Sequence, residues 1–141
     1  MLIDAIKDQL KTRCPLLKHI GAAADFAAAD KLARHQYPAA FVLPLGEQPQ
    51  PSSMPPGTVQ KLLVHFAVVI AISNVRDAAG AAALVDLNAV RPSVMQALYG
   101  WQPAGVAEPI NFTGGQLQDL TNGVLWWQDS FSTVVFNRST H

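Results

Sequence analysis

Four histidines, one cysteine, eight aspartates and two glutamates are the side chains of this sequence that could hold a metal or move a proton. Metal binding would need them in clusters. His19, His35, His65 and His141 show no i, i+4 pairing and no Cys-x-x-His spacing, so neither a metal nor a cofactor is expected. Nucleophilic or phosphate chemistry would announce itself as G-x-S-x-G, G-x-x-x-x-G-K-[ST] or G-x-G-x-x-G, and none of these occurs. Acid/base work by His65 or His35 with an aspartate, at the boundary of a small oligomer, is the enzymatic alternative. His65, however, lies in an apolar run and reads as a half-buried histidine bonded to a neighbouring strand. Asp4, Asp8, Asp25, Asp30, Asp77 and Asp86 fall on caps or solvent faces of predicted helices, so they read as structural. Cys14, beside Pro15 and without a nearby activating group, reads as an inert thiol. No residue is assigned a catalytic role.

Composition points the same way. The 141 residues suit a single domain spanning 1–141 that buries its own core. Ten basic residues balance ten acidic ones, which leaves no basic surface for nucleic acid or anionic lipid. Charges at Asp4, Lys7 and Asp8 break up any secretory apolar run, and the longest apolar stretch, "FAVVIAI", is far below the roughly 20 residues of a membrane span. A soluble intracellular product is expected, and the sequons at Asn111 and Asn137 are read as chance.

The elements follow from hydrophobic spacing. Leu2 or Ile3, Ile6 and Leu10 form one helical stripe that must end before Pro15. A strand in "LLKHIGAAADF" is expected to run into a helix in "AAADKLAR", N-capped by Asp25. "YPAAFVLPL" predicts a short strand bracketed by Pro38 and Pro44, followed by a long exposed proline-rich loop at about 45–58. Val59–Ser73 alternates as a strand apolar on both faces: Val64, Phe66, Val68, Ile70 and Ile72 on one, Leu63, His65, Ala67, Val69 and Ala71 on the other. Residues 77–98 place Ala83, Leu87, Val90 and Val94 on a helical stripe, with Pro92 predicting a kink or break near Val90. Gly100 predicts a left-handed helix stop, and Trp101 a residue folding back on the last turn. Gly114-Gly115 and Asn122-Gly123 predict turns of a meander ending in a strand over about Val124–Phe136. The expected fold is α+β: a mixed, mostly antiparallel sheet with two or three helices packed mainly on one face.

Such a sheet should be polar on its uncovered side. The strands at 62–72 and 124–136 are apolar on both, and adjacent Trp126 and Trp127 must point to opposite sides. An exposed patch of Leu63, Val69 and one tryptophan is therefore expected, the alternative being that the helix in "FAAADKLAR" covers the second face. At about 25 cal/mol per Å², burying several hundred Å² supplies on the order of 10 kcal/mol, enough to drive association after its costs.

The ordered series "YPAAFVLPL", a proline-rich loop, "VQKLLVHFAVVIAI", "ALYGWQP", "INFTGGQL" and "LWWQDSFSTVV" resembles the tail terminator proteins of long-tailed bacteriophages and related prophages across nearly the whole chain. The resemblance implies a structural virion protein, not an enzyme. It would form a ring, typically of six copies, that caps the tail tube, ends tail polymerisation and presents a surface for head joining. Its implied partners are further copies of itself, the tail tube protein and a head-completion or connector protein, with no membrane and no sequence-specific nucleic acid. Its implied location is the host cytoplasm during assembly and then the virion tail. Another neck or tail-completion protein is the alternative within the virion. On this reading the oligomer or tube contacts are Pro49, Pro51, Met54 and Pro55 of the loop, with Leu63, His65, Val69, Trp126 and Trp127 of the strands.

Overall fold

The computed structural model describes residues 2–51, 59–73, 81–121 and 123–138. Five strands form one sheet in the order β1-β2-β3-β5-β4, where β1 is His19–Gly21, β2 Ala39–Pro49, β3 Val59–Ser73, β4 Asn111–Thr121 and β5 Val124–Arg138. Only β1 and β2 run parallel; every other pairing is antiparallel. Three α-helices complete the described chain: α1 (Leu2–Arg13), the short α2 (Ala23–Phe26) and α3 (Ala81–Leu98). The fold is therefore the α+β arrangement expected from the sequence.

The first face of the sheet is closed by α1 and α3. Ile6 and Leu10 from α1, and Leu87, Val90 and Val94 from α3, pack on Phe66, Val68, Ile70 and Ile72 of β3 and on Leu125 and Phe131 of β5. Those even-numbered β3 residues share one side of the pleat, which is the alternation that predicted them. Pro92 does not break α3, which runs unbroken through Val90. The carbonyl deprived of its donor belongs to Asn88, and both Asn88 and Pro92 lie on the exposed side of the helix, where a carbonyl is open to solvent and the missing bond costs least. Gly100 takes the left-handed conformation, φ 81°, and ends the helix, while the Trp101 N–H donates to the Leu98 carbonyl. The Trp101 ring is half-buried against the first-face core.

Several expectations are corrected. β2 is not confined between Pro38 and Pro44; it passes Pro44 through a bulge before Gly46 and continues to Pro49, so Leu45–Pro49 is strand rather than loop. Asp25 is not an N-cap. It occupies the third position of α2, and its Oδ2 accepts the Ala22 N–H at 2.9 Å, which holds the carboxyl below its ordinary range. The predicted helix in "AAADKLAR" is not formed: α2 lies just before it and ends at Phe26, and the stretch itself holds the 3₁₀ turn Ala29–Lys31 and the start of another, Arg34–Gln36. Gly114-Gly115 makes no turn; both glycines lie within β4, beside a bulge between Phe112 and Gly114. Gly123, with φ 74°, belongs to the β4–β5 turn as expected.

Gly115 is in the strand because nothing larger fits there. A Cβ would lie 2.6 Å from Asp129 Oδ1, 3.0 Å from an Arg91 guanidinium nitrogen and 3.2 Å from the Trp127 ring. Gly115→Ala is accordingly expected to cost about 1–3 kcal/mol in urea unfolding, because the added methyl overpacks against the fixed Asp129 cluster.

Candidate functional site

The predicted contact residues fall mostly on the second face of the sheet. Odd-numbered β3 residues face even-numbered β5 residues there: Ala71 opposes Trp126, Val69 opposes Gln128, His65 opposes Ser132, Leu63 opposes Val134 and Lys61 opposes Phe136. Leu63, His65, Val69 and Trp126 are thus brought to one face. Trp127 goes to the other, where its ring packs against the first-face core.

Val69 is not exposed, contrary to expectation: it retains 3% of its surface. The segment from α2 through the 3₁₀ turns covers it together with Ala71 and Phe41, and Ala29, Leu32 and Tyr37 pack into the same small core. Phe26 of α2 meets Phe41 and Trp126 edge-on, with ring centroids 5.4 Å and 6.0 Å apart. The second face does receive a lid within the chain, built from one short helix and two turns rather than a long helix. That lid is hard to read from the sequence because its alanines give no amphipathic stripe.

The lid stops short. Between it and β4 lies a cavity of about 500 Å³ whose floor is Leu43, Val69 and Trp126. Asp30, Gln118, Asp119 and Gln128 stand among its walls. Beyond the lid and the long helices, the end of β2, the start of β3 and the end of β5 continue as a three-stranded arm. In this arm Gln48 pairs Leu63, Pro49 pairs Leu62, and Val59 pairs Arg138. Seven β3 residues, Val59–His65, give it a length of about 23 Å. Its apolar side chains Leu62, Leu63 and Val64 are only half-buried, and Phe136 keeps 44% of its surface. The uncovered apolar surface is therefore real, but displaced along the strands from Val69 to the arm.

Pro49 lies at the exposed end of β2 and Pro51 just beyond it, whereas Met54 and Pro55 fall outside the described residues, as do Asp77 and His141. His65 is half-buried at the root of the arm with no side-chain hydrogen bond to another described residue, so the expected bond to a neighbouring strand is not formed. His35 is exposed in the second 3₁₀ turn and His19 packs against the Phe41 ring at 5.7 Å. Among the described residues, no group of three or more His, Cys, Asp or Glu side chains could hold a metal ion. Cys14 is buried, its thiol pushed up by burial and donating to the Ser93 carbonyl at 3.3 Å. His65→Gln is expected to leave the urea midpoint nearly unchanged, within about 1 kcal/mol.

The one buried ionic group among the described residues is Asp129, an aspartate that spacing arguments passed over. It lies on the first face of β5, fully buried. Arg91 Nε and Nη2 donate to its two oxygens at 3.1 Å and 2.8 Å, and Trp127 Nε1 donates at 2.9 Å. The Arg91 guanidinium also stacks 4.5 Å from the Trp127 ring centroid. With both carboxylate oxygens engaged by protein donors, this cluster ties α3 to β5 and offers no open position for a substrate. An aspartate in the middle of the apolar run "LWWQDSFSTVVF", and an arginine beside the apolar stripe of a helix, were the signals that could have found it.

Comparison with curated protein sequences finds no match. Among solved structures, a chain of the virion of the native gene transfer agent (GTA) particle superposes with a TM-score of 0.63 at 14% identity, covering 96% of this chain and 95% of that one. At that identity the likeness establishes a shared fold. The family model described as phage tail terminator protein matches residues 2–140, so the chain belongs to the phage tail terminator protein family and is a structural protein of the virion tail.

Proposed function

We propose that this protein caps the phage tail tube as an oligomeric ring, typically of six copies, ending tail polymerisation and presenting the surface to which the head joins. Its partners on this reading are further copies of itself, the tail tube protein and a head-completion or connector protein, met in the host cytoplasm during assembly. The observation that carries the reading is the arm: a three-stranded extension with half-buried Leu62, Leu63 and Val64 and exposed Phe136, beyond the reach of the chain's own helices. Apolar surface of this kind gains free energy when another subunit covers it. Family membership supplies the setting. Capping asks only that the ring bind a growing end without offering the same end again, so no reactive group is needed.

Sedimentation velocity at several concentrations, followed by negative-stain imaging with purified tail tubes, tests the proposal. Rings seated on tube ends are the expected result. Chains that stay monomeric at every concentration, and leave tube ends bare, would refute it.

A further inference from the structure

The cavity and the arm lie on the same face of the same sheet, and their chemistry is opposite. Floored by Leu43, Val69 and Trp126, the cavity has Asp30 and Asp119 as its only ionisable lining residues among those described. On that face the arm carries Leu63 and Phe136 with Lys61, His65 and Arg138, by the alternation of β3 and β5. Its Lys61 is paired with Glu108 at 3.3 Å. The Arg138 guanidinium rests 5.3 Å from the Phe136 ring centroid and forms no ion pair among the described residues. An arginine laid on an exposed phenylalanine thus matches an apolar trough flanked by two carboxylates.

The arm cannot reach the trough of its own chain. Phe136 lies ten residues along β5 from Trp126, a separation of about 33 Å on a strand locked between neighbours. We infer that the trough between the α2 segment and β4 receives the arm of a second copy, with Phe136 over Trp126 and Leu43 and Arg138 between Asp30 and Asp119. The inference rests on the ring reading and supplies its contact surface. Two different surfaces meet, so one chain donates its arm while its trough accepts another, and such contacts propagate around a ring when the rotation closes. Opposite charges at the rim fix the register and suppress wrong pairings.

A charge swap between two populations tests it. Asp30→Arg places like charge against the incoming Arg138, and Arg138→Asp places like charge against Asp30 and Asp119. Each variant alone is expected to weaken self-association at least tenfold by sedimentation, and Phe136→Ala to do the same. An equal mixture of the two charge variants is expected to recover assembly. In it the unchanged Arg138 of one population meets the unchanged Asp30 of the other, and the two substituted side chains meet each other with opposite charge. Far-UV circular dichroism and urea midpoints should match the unsubstituted chain, since all three positions are exposed. Variants that assemble like the unsubstituted chain, or a mixture that does not recover, would overturn the inference while leaving the ring reading intact. Normal self-association with lost tube-end binding would overturn it too, and assign the trough to the tube instead. An unsubstituted chain that never associates removes both.

Discussion

Replacing Arg91 by methionine is expected to lower the unfolding free energy by about 3–5 kcal/mol, because it leaves a buried carboxylate without its counter-charge. Asp129 has no solvent access, and two of its three donors come from Arg91. The remaining Trp127 Nε1–H cannot neutralise it. In a chain of this size the loss corresponds to a fall of roughly 10–20 °C in the thermal midpoint. Urea unfolding followed by tryptophan emission measures it, with Trp127 reporting from within the cluster. The double variant Arg91→Met/Asp129→Leu should recover most of the loss, since replacing both members of a buried pair with apolar groups is often neutral. A single Arg91→Met change costing less than about 1 kcal/mol would mean that the carboxylate finds water or another donor, and that the pair does not fasten α3 to the sheet.

This cluster also marks where the sequence stops being readable. The long elements were legible because each is long and rich in apolar residues: β3 is a fifteen-residue run with apolar residues on both faces, and α3 repeats Ala83, Leu87, Val90 and Val94 on one stripe. Short elements were not. The lid of α2 and two 3₁₀ turns is rich in alanines that carry no directional pattern, and only Ala29, Leu32 and Tyr37 of its 3₁₀ segment pack into the small core with Phe41 and Val69. Preferring an open second face to one covered from "FAAADKLAR" put Val69 in the uncovered patch beside Leu63, whereas only Leu63 lies in the arm. Gly114-Gly115 misled for a related reason. A glycine pair signals a turn when only local conformation is considered, whereas Gly115 is dictated by Asp129, Arg91 and Trp127 pressing on β4 from elements distant in sequence. Proline at positions 44 and 49 suggested loop, yet β2 borders only the three-residue β1 on its outer side, over Ala39–Phe41, and an edge strand tolerates missing donors. The candidate contact face was legible as a set of alternating residues. Its division into a covered part, a trough and an arm depends on lateral packing that alternation does not encode.

Phe131→Ala is expected to cost about 3–5 kcal/mol, the range for a fully buried phenylalanine. Its ring is stacked on Phe66 across the β3–β5 ladder, centroids 5.4 Å apart, and Phe112 of β4 meets it edge-on at 5.7 Å. Both stacked rings have no exposed surface, and they lie close to the point where the sheet continues as the arm. A cavity there removes dispersion contacts from three strands at once, at the root from which the arm is held rigid. The variant should therefore lose stability and also present its arm less firmly, weakening both global unfolding and self-association. Phe136→Ala provides the contrast. That ring is exposed at the far end of the same strand, so its removal should change the urea midpoint little, by roughly 0.5 kcal/mol or less, while reducing assembly. Equal stability losses in the two variants would show that the arm belongs to the folding core. Stability lost only at Phe131, with assembly lost at both, separates the surface that holds the chain together from the surface kept for other chains.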